Sequence, residues 1–316
     1  MIDAYGRNIT YLRLSVTELC NLRCRYCMPE EGVRKLAHDQ LLTEEEMILA
    51  VSAAAKLGVT KVRITGGEPL TKPNILSICR NVSLVPGVSD TSITTNATLL
   101  PQMAVPLREA GVKRVNISLD TLNPEKYRKI TRRGDLSDAL RGLDAALKAG
   151  FEKVKINAVL IGGLNDGEIP ALAALTLKWP VDVRFIELMP MPGNTDFGPE
   201  SYIPAARVLE ALPEAVPERE EGVARLYRLP GAKGCVGLIS PLSQHFCASC
   251  NRIRLTADGR IKPCLHSAEE ISIKGLSDEA MLTEMRRAIL LKPACHTELS
   301  ACSRSQAARN MNQIGG

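Results

Sequence analysis

The chain has 316 residues, of which 45% are hydrophobic and 24% charged, and its formal net charge is +5. This composition is typical of a globular α/β protein. It has no apolar run of membrane-spanning length, and its 3% of aromatic residues disfavours binding of single-stranded nucleic acid by base stacking. The first ten residues do not resemble a signal peptide, so we expect a cytoplasmic protein whose clustered cysteines bind metal rather than form disulfides.

Six strand-and-helix units are predicted between Ile9 and Leu188. Thr43 and Glu46 form a predicted capping box for a helix over Thr43–Leu57, and a second helix is predicted over Leu136–Ala149. Alternating units of this kind predict a parallel sheet, either doubly wound or curled toward a barrel. The predicted strands are Tyr11–Val16, Lys61–Thr65, Thr91–Thr95, Lys113–Leu119, Lys153–Leu160 and Val181–Leu188.

The pattern changes after about Met189, where a loop rich in proline and glycine begins. A short helix is predicted over Pro204–Leu212, and Asp258-Gly259 predicts a hairpin turn. A last helix is predicted over Asp278–Leu291. Short strands are predicted over Arg225–Leu229, Cys235–Ser240, Asn251–Ala257 and, after the hairpin turn, Arg260–Pro263. We therefore expect two domains, residues 1–213 with the βα core and residues 214–316 with a smaller cap.

Three cysteines, Cys20, Cys24 and Cys27, lie within eight residues just after the first predicted strand. Three thiolates in one turn suit an iron–sulfur cluster with one iron that has no protein ligand. A zinc site would more often show paired Cys-x-x-Cys units and four ligands. Gly66-Gly67-Glu68-Pro69 ends the second strand, and its paired glycines leave backbone groups open to a small polar ligand.

A second set of three cysteines, Cys247, Cys250 and Cys264, is brought together by the predicted hairpin. This set favours a second iron–sulfur cluster. The alternative is a zinc site completed by His245, His266 or Cys235. Four other thiols fit no ligand spacing and are expected to be ordinary: Cys79, Cys235, Cys295 and Cys302.

Cations lie in the middle of several predicted strands, where a parallel sheet is normally covered on both faces. Arg252 and Arg254 share one face of a strand beside Cys250, about 7 Å apart, a spacing that suits a polyphosphate. Alternatively, the face of Arg252 and Arg254 is simply exposed to solvent. The core cations could likewise pair with carboxylates such as Glu187 or Asp120 instead of a ligand. The core cations are Arg13, Arg63, Lys155 and Arg184.

The Cys-x-x-x-Cys-x-Tyr-Cys loop and the Gly-Gly-Glu-Pro turn resemble those of radical S-adenosylmethionine (SAM) enzymes. Together with five further segments, they resemble the GTP 3′,8-cyclase family of molybdenum cofactor biosynthesis, over about Tyr11 to Gly316. The segments are Leu12–Thr17, Thr94–Asn96, Asn116–Asp120, Arg184–Pro190 and Cys250–Leu255, and the chain ends in the same Gly315-Gly316.

The resemblance implies a partial (βα)6 barrel, like an incomplete TIM barrel, with a small α+β cluster-binding region at its C-terminal end. It implies two 4Fe–4S clusters, SAM as cofactor and GTP as substrate. The reaction would begin when a 5′-deoxyadenosyl radical takes the ribose 3′ hydrogen. Carbon 3′ would then join carbon 8 of guanine, giving 3′,8-cyclo-7,8-dihydro-GTP.

The same resemblance assigns roles to particular residues. The clusters would be held by Cys20, Cys24 and Cys27, and by Cys247, Cys250 and Cys264. SAM would lie near Tyr26, Gly67, Ser118 and Met189. GTP would be bound by Arg13, Arg63, Thr94, Lys155, Arg252, Ile253 and Arg254. Arg13, Gly315 and Gly316 would take part in catalysis.

The resemblance also implies an electron donor and a downstream cyclic pyranopterin monophosphate synthase as partners, with a homodimer as one option for the assembly. From the composition we expect no nucleic-acid partner and no membrane. The chain departs from the family at Ala97, where a glycine is usual, and around Cys295–Ser303. Two other functions fit parts of the pattern: a radical SAM enzyme that acts on a peptide, and a non-enzymatic zinc-binding module.

Overall fold

A computed structural model describes residues 1–194, 196–296, 299–300 and 303–315. Its strands are β1 (Tyr11–Ser15), β2 (Lys61–Thr65), β3 (Asp90–Thr95), β4 (Arg114–Ser118), β5 (Lys153–Leu160), β6 (Val181–Glu187), β7 (Val216–Glu221), β8 (Ala224–Arg228), β9 (Val236–Ile239), β10 (Arg252–Leu255), β11 (Arg260–Lys262) and β12 (Ile271–Ser272). Its helices are α1 (Glu44–Lys56), α2 (Ile75–Leu84), α3 (Leu100–Glu109), α4 (Pro124–Thr131), α5 (Leu136–Lys148), α6 (Ile169–Ala173), α7 (Leu175–Lys178), α8 (Arg207–Ala211), α9 (Asp278–Leu290) and α10 (Met311–Ile314).

The first six strands are parallel neighbours in the order in which they occur along the chain. A doubly wound sheet would reverse its strand order partway, so this order is that of a βα barrel. The barrel is partial, because β1 pairs with β10 and β6 pairs with β9 at the outer positions. The expected fold class is confirmed, and the doubly wound alternative is wrong.

Alternation along the strands divides the sheet into an apolar face and a polar face. On β1, Leu12 and Leu14 are fully buried in the main hydrophobic core, which also includes side chains of the surrounding helices. Tyr11 and Arg13, which alternate with these leucines, line a central chamber on the opposite face. The hydrophobic core therefore lies between sheet and helices, and the other face is free to carry polar groups.

Helix α1 begins as the sequence predicts. Thr43 Oγ1 accepts a hydrogen bond from the backbone N–H of Glu46, and Glu46 reaches back to the N–H of Thr43. Glu46 also accepts from the backbone N–H of Gly275 at 2.9 Å. Because Gly275 lies just before α9, this single carboxylate joins the first helix of the barrel to the C-terminal region.

Beyond Met189, the described structure differs from the prediction at α8 and at three elements that the prediction lacks, β7, β12 and α10. The predicted helix Pro204–Leu212 is shorter, because Pro204 to Ala206 form turns that lead into α8 at Arg207. The sequence analysis also missed β7, which pairs with β8 in a hairpin whose tip is Glu221-Gly222-Val223. Strand β7 is almost wholly exposed and charged, so it lacks the apolar alternation by which strands are recognised. No helix within the described ranges has the length and apolarity needed to cross a bilayer.

Candidate active site

The first cysteine loop leaves β1 and is held by the turn that ends β2. Gly67 donates its backbone N–H to Thr17 O, and Glu68 donates to Leu19 O, both at 2.8 Å. A Cβ atom on Gly67 would collide with the carbonyl of Leu19. The paired glycines therefore allow the β2 turn to lie directly against the chain that carries Cys20.

The thiols of Cys20, Cys24 and Cys27 form one half-buried group. Burial raises the pKa of Cys20 to about 11 and that of Cys27 to about 12, and it raises the pKa of Cys24 far above its usual value. For Cys24 and Cys27, neighbouring thiols of the same group add to the effect. Three thiolates gathered in this way need a compensating positive charge, as an iron–sulfur cluster would supply.

The donors around these sulfurs also fit a cluster. Leu22 donates its backbone N–H to Cys20 Sγ at 3.3 Å, and Asn312 of α10 directs a backbone N–H to Cys27. Hydrogen bonds to ligand sulfurs are a usual feature of such sites. Contact of the C-terminal helix with this loop was not predicted, because nothing in the local pattern of α10 indicates its partner.

A single-ion zinc site is not supported by the described part of the chain. No three His, Cys, Asp or Glu side chains in it converge closely enough to share one metal ion. Cys235 lies instead between Glu218 and Arg228. A cluster of several irons accepts more widely separated sulfurs, because each thiolate binds a different corner.

The second set of cysteines lies on the chamber wall. Burial raises the pKa of Cys247, and Cys264 and Cys250 add to the rise. Burial acts in the same direction on Cys250, but Lys292 and Arg252 outweigh it and lower its pKa to about 7. Lys292 also donates to the carbonyl oxygens of Arg252 and Pro263, both at 2.9 Å. Lys292 was not predicted, because it is distant in sequence from every cysteine of this set.

The chamber has a volume of about 340 Å³. Twelve of the residues assigned to the site by resemblance line it: Arg13, Tyr26, Arg63, Thr94, Ser118, Lys155, Met189, Cys247, Cys250, Arg252, Arg254 and Cys264. Gly67 and the first three cysteines are not among the residues that line the chamber. The side chain of Ile253 points away from it into the hydrophobic core and is fully buried.

The positive charges on the chamber wall lie close together. Burial lowers the pKa of Arg13 well below its usual value, and the neighbouring Arg254 and Arg63 lower it further. For Arg254, burial and the nearby Arg252 lower the pKa to about 10. A wall in which buried guanidinium groups repel one another is stabilised by an anion, as a phosphate binder requires.

The carboxylates that meet these cations differ from those proposed in the sequence analysis. Glu187 accepts backbone N–H groups of Ala205, Leu242 and Ser243. Asp120 accepts from Tyr26 Oη at 2.7 Å and from the N–H of Val159 at 2.8 Å, and burial raises its pKa to about 6. Lys155 and Arg184 pair instead with Glu221 on the β7–β8 hairpin.

The C-terminus ends beside the same cations. The carbonyl oxygen of Gly315 accepts from Arg13 Nε at 3.0 Å and from Arg254 Nη1 at 2.7 Å. Gly315 has φ of +78°, and a Cβ atom there would collide with Thr65 Oγ1. Only glycine suits this position, for both reasons. Gly316 lies outside the described residues.

The turn that carries Ala97 is the site of the noted departure from the family. Ala97 has φ of +68° and is fully buried. Its neighbour Asn96 donates the backbone N–H to Glu68 Oε2 at 2.7 Å. Alanine thus adopts the left-handed conformation that favours glycine, which places strain next to the Gly-Gly-Glu-Pro turn.

Comparisons with known proteins agree with this arrangement. Residues 14–176 match the model of the radical SAM superfamily, and residues 181–298 match that of the Molybdenum Cofactor Synthesis C family. The GTP 3′,8-cyclase of Alkaliphilus oremlandii is 48% identical over 321 residues, which cover all of both chains. The GTP 3′,8-cyclase of Pelotomaculum thermopropionicum is 48% identical over 328 residues, again over all of both chains.

Solved structures show the same fold at much lower identity. SuiB of Streptococcus suis bound to S-adenosylmethionine aligns with a TM-score of 0.65 and 16% identity over 84% of this chain, which spans 63% of SuiB. HydG of Carboxydothermus hydrogenoformans aligns with a TM-score of 0.51 and 20% identity. The alignment covers 70% of this chain and 56% of the HydG chain. The chain therefore belongs to the radical SAM superfamily and, within it, to the GTP 3′,8-cyclase family.

Proposed function

We propose that the chamber is the active site in which this GTP 3′,8-cyclase joins carbon 3′ of the ribose to carbon 8 of guanine. The product is 3′,8-cyclo-7,8-dihydro-GTP, in the first step of molybdenum cofactor biosynthesis. One observation carries the assignment of the site. Arginine and lysine side chains from β1, β2, β5 and β10 line one chamber together with Tyr26 of the first cysteine loop and the three cysteines of the second set.

Arg13, Arg63, Lys155, Arg252 and Arg254 bind GTP through its triphosphate. Their positions on neighbouring strands allow several charge-assisted hydrogen bonds to one polyanion. Thr94 completes the set. Within the described structure, its buried Oγ1 has no hydrogen-bond partner, as expected for a group that binds a ligand. The fully buried side chain of Ile253 leaves only its backbone to contact the substrate.

Cys20, Cys24 and Cys27 hold the first 4Fe–4S cluster, and Tyr26, Gly67, Ser118 and Met189 surround SAM. When bound there, the cluster and SAM would supply the radical chemistry that the reaction needs at the ribose 3′ position. Asp120 fixes the ring of Tyr26 through its hydroxyl at 2.7 Å. The protein itself orients the ribose toward the SAM side and excludes water from the reacting atoms.

Cys247, Cys250 and Cys264 would hold a second 4Fe–4S cluster, which would supply an iron for binding the guanine of GTP. The donor set supports this proposal, since Lys292 and Arg252 favour the thiolate form of Cys250. Arg13 and the Gly315-Gly316 tail position the ribose; the hydrogen bonds from Arg13 and Arg254 to Gly315 O support this role, since they place the tail beside the residues that bind GTP.

We further propose that residues 1–213 form the radical SAM region and residues 214–316 the substrate-binding region. One hydrophobic core extends across that boundary, with Val208 and Leu212 on one side of it and Leu229 and Val236 on the other. The partners proposed from the resemblance are an electron donor, a downstream cyclic pyranopterin monophosphate synthase and a second copy of the chain.

The test uses anaerobically reconstituted, reduced protein with SAM and GTP that carries deuterium at the ribose 3′ position. Deuterium should appear in 5′-deoxyadenosine, and the cyclised nucleotide should form at an equal amount. Cys24→Ala should remove both products, while Arg63→Ala should retain SAM cleavage and lose transfer from GTP. Cleavage of SAM by the wild-type chain without deuterium transfer from any position of GTP would overturn the proposal.

A further inference from the structure

The tip of the β7–β8 hairpin carries a carboxylate into the chamber. Glu221, the last residue of β7, and the next two residues, Gly222 and Val223, line its wall. One oxygen of Glu221 accepts from Lys155 Nζ and from Arg184 Nη2, the latter at 2.9 Å. A single carboxylate therefore bridges two cations that come from neighbouring strands, β5 and β6.

These cations are much more deeply buried than the carboxylate that bridges them. Side-chain exposure is 3% for Lys155 and 9% for Arg184, but 35% for Glu221. Charges buried this deeply are destabilising unless an anion is near. Asp182 is 4.0 Å from Arg184, but it also pairs with Lys153 at 2.7 Å and accepts the N–H of Cys235 at 3.1 Å. Glu221 is thus the bridging anion of Lys155 and Arg184.

The hairpin that brings Glu221 to this position is weakly held. Strand β7 is the last strand of the sheet and pairs on one side only, and its residues are exposed up to Glu220. Gly222 has φ of +65°, and a Cβ atom there would meet nothing within 4 Å. The tip is therefore loosely packed at Gly222, and β7 has no second neighbouring strand to hold it, although Ala224 at the start of β8 is buried.

We propose that Glu221 is a displaceable counter-ion, which pairs with Lys155 and Arg184 until the triphosphate of the substrate takes its place. This inference rests on the proposed function, since it assumes that GTP binds at Lys155. A phosphate oxygen carries the same charge as the carboxylate and accepts the same two hydrogen bonds. The substrate therefore binds only after exchange with an anion of the protein itself, and the apparent affinity is lowered by the fraction of chains in which Glu221 is in place.

The test compares Glu221→Gln with a matched control, Glu220→Gln, which removes the same charge from the exposed neighbouring position. Dissociation constants are measured by calorimetry for GTP and for inorganic tripolyphosphate, on reconstituted protein at low ionic strength. Glu221→Gln should bind GTP and tripolyphosphate about tenfold more tightly than wild type. A tenfold change in the dissociation constant corresponds to removal of about one ion pair that competes with the ligand. Glu220→Gln should stay within about twofold of the wild-type values.

Thermal unfolding gives a second readout. Without ligand, Glu221→Gln should melt below wild type, because two buried cations lose their bridging anion. Tripolyphosphate should raise the melting temperature of the variant more than that of wild type. If Glu221→Gln does not fold, Glu221→Asp takes its place, because its shorter side chain retains the charge but reaches the two cations less well.

The outcomes separate this inference from the proposed function. If wild type and Glu220→Gln both fail to bind GTP, the proposed function is wrong. If they bind GTP and a folded Glu221 variant binds it no more tightly, Glu221 is not displaced by the substrate. Weaker binding by that variant would likewise overturn the inference, because it would make Glu221 a ligand of the bound nucleotide.

Discussion

The guanidinium of Arg13 donates through Nε to the carbonyl oxygen of Gly315 at 3.0 Å, although 302 positions separate the two residues in sequence. Arg254 donates to the same oxygen at 2.7 Å. The C-terminal tail is thus held by two arginines of the chamber wall, from strands β1 and β10, which are paired side by side.

Deletion of Gly315 and Gly316 should leave folding, iron content and GTP binding intact while abolishing cyclisation. The reason is that the tail contacts the cationic wall but belongs to neither cysteine set. Gly315→Ala should act in the same direction, since a Cβ atom would collide with Thr65 in a left-handed backbone. Product formation and GTP dissociation constants are the measurements.

Gly163→Ala is the control for the tail, because Gly163 also has a positive φ but no atom within 4 Å of an added Cβ. It should lose some stability and no activity per folded molecule. Cyclised product at the full-length rate from the truncated chain would show that the tail is expendable.

Arg252→Ala and Arg254→Ala should each weaken GTP binding by about 1.5–3 kcal/mol, the usual size of a hydrogen bond to a charged group. SAM affinity should hardly change. Arg254→Ala should also slow cyclisation at saturating GTP, because Arg254 holds Gly315 whereas Arg252 lies over the ring of Phe246. Arg286→Ala, on the exposed face of α9, should change none of these quantities. Equal losses of SAM and GTP affinity would instead indicate misfolding.

Replacing Cys247, Cys250 and Cys264 together by alanine should remove about half of the iron and leave SAM cleavage possible. The reason is that the two cysteine sets are separate, and the first is complete without the second. Iron, sulfide and visible absorption are measured after anaerobic reconstitution. Cys79→Ala serves as control, because that thiol is buried in the hydrophobic core. An unchanged iron content in the triple variant contradicts a second cluster.

Ala97→Gly should stabilise the apoprotein by about 0.5–1 kcal/mol. A left-handed conformation disfavours alanine by about 1–2 kcal/mol, and the greater freedom of glycine in the unfolded chain offsets part of the gain. Urea denaturation measures the change. Ala104→Gly, in the helical conformation of α3, should destabilise by about 1 kcal/mol. Destabilisation by Ala97→Gly would mean that packing of the buried methyl group outweighs backbone strain.

Burial raises the pKa of Glu68 from 4.5 to about 7, although Thr95, Asn96 and Leu70 donate hydrogen bonds to its carboxylate. The folded chain therefore favours the protonated form. The stability that this group contributes is complete below pH 4.5 and is lost as the pH rises through 7. Between pH 5 and 8, the free energy of unfolding of the iron-free wild type should fall by about 2 kcal/mol relative to that of Glu68→Gln. If the wild type instead gains stability relative to Glu68→Gln over this pH range, the pKa of Glu68 is not raised in the folded chain.

The barrel strands could be located from the sequence because each presents one apolar face to the helices. The predicted strands over Lys61–Thr65 and Lys153–Leu160 agree with β2 and β5 at both ends. The cations on the other face were visible for the same reason, since Arg13 and Lys155 interrupt apolar runs. What could not be predicted were contacts between distant segments.

Glu221 is the clearest example of a contact that sequence did not indicate. It is the last residue of the charged strand β7, which has no apolar alternation, so neither the strand nor the cations that pair with Glu221 could be recognised. The sequence analysis named core carboxylates such as Glu187 and Asp120 as alternative partners of the cations. Their carboxylates are instead used by backbone N–H groups and by Tyr26.

The parallel pairing of β10 with β1, and of β9 with β6, has a consequence for biosynthesis. The two outer edges of the barrel sheet are completed by residues that leave the ribosome about 50 residues after β6 or later, so β1 and β6 emerge with unpaired backbone groups. Unpaired edges template aggregation, and pairing over long sequence separations is slow. Overproduced chain should therefore be most vulnerable to aggregation, and most dependent on chaperones, before residue 255 has been synthesised.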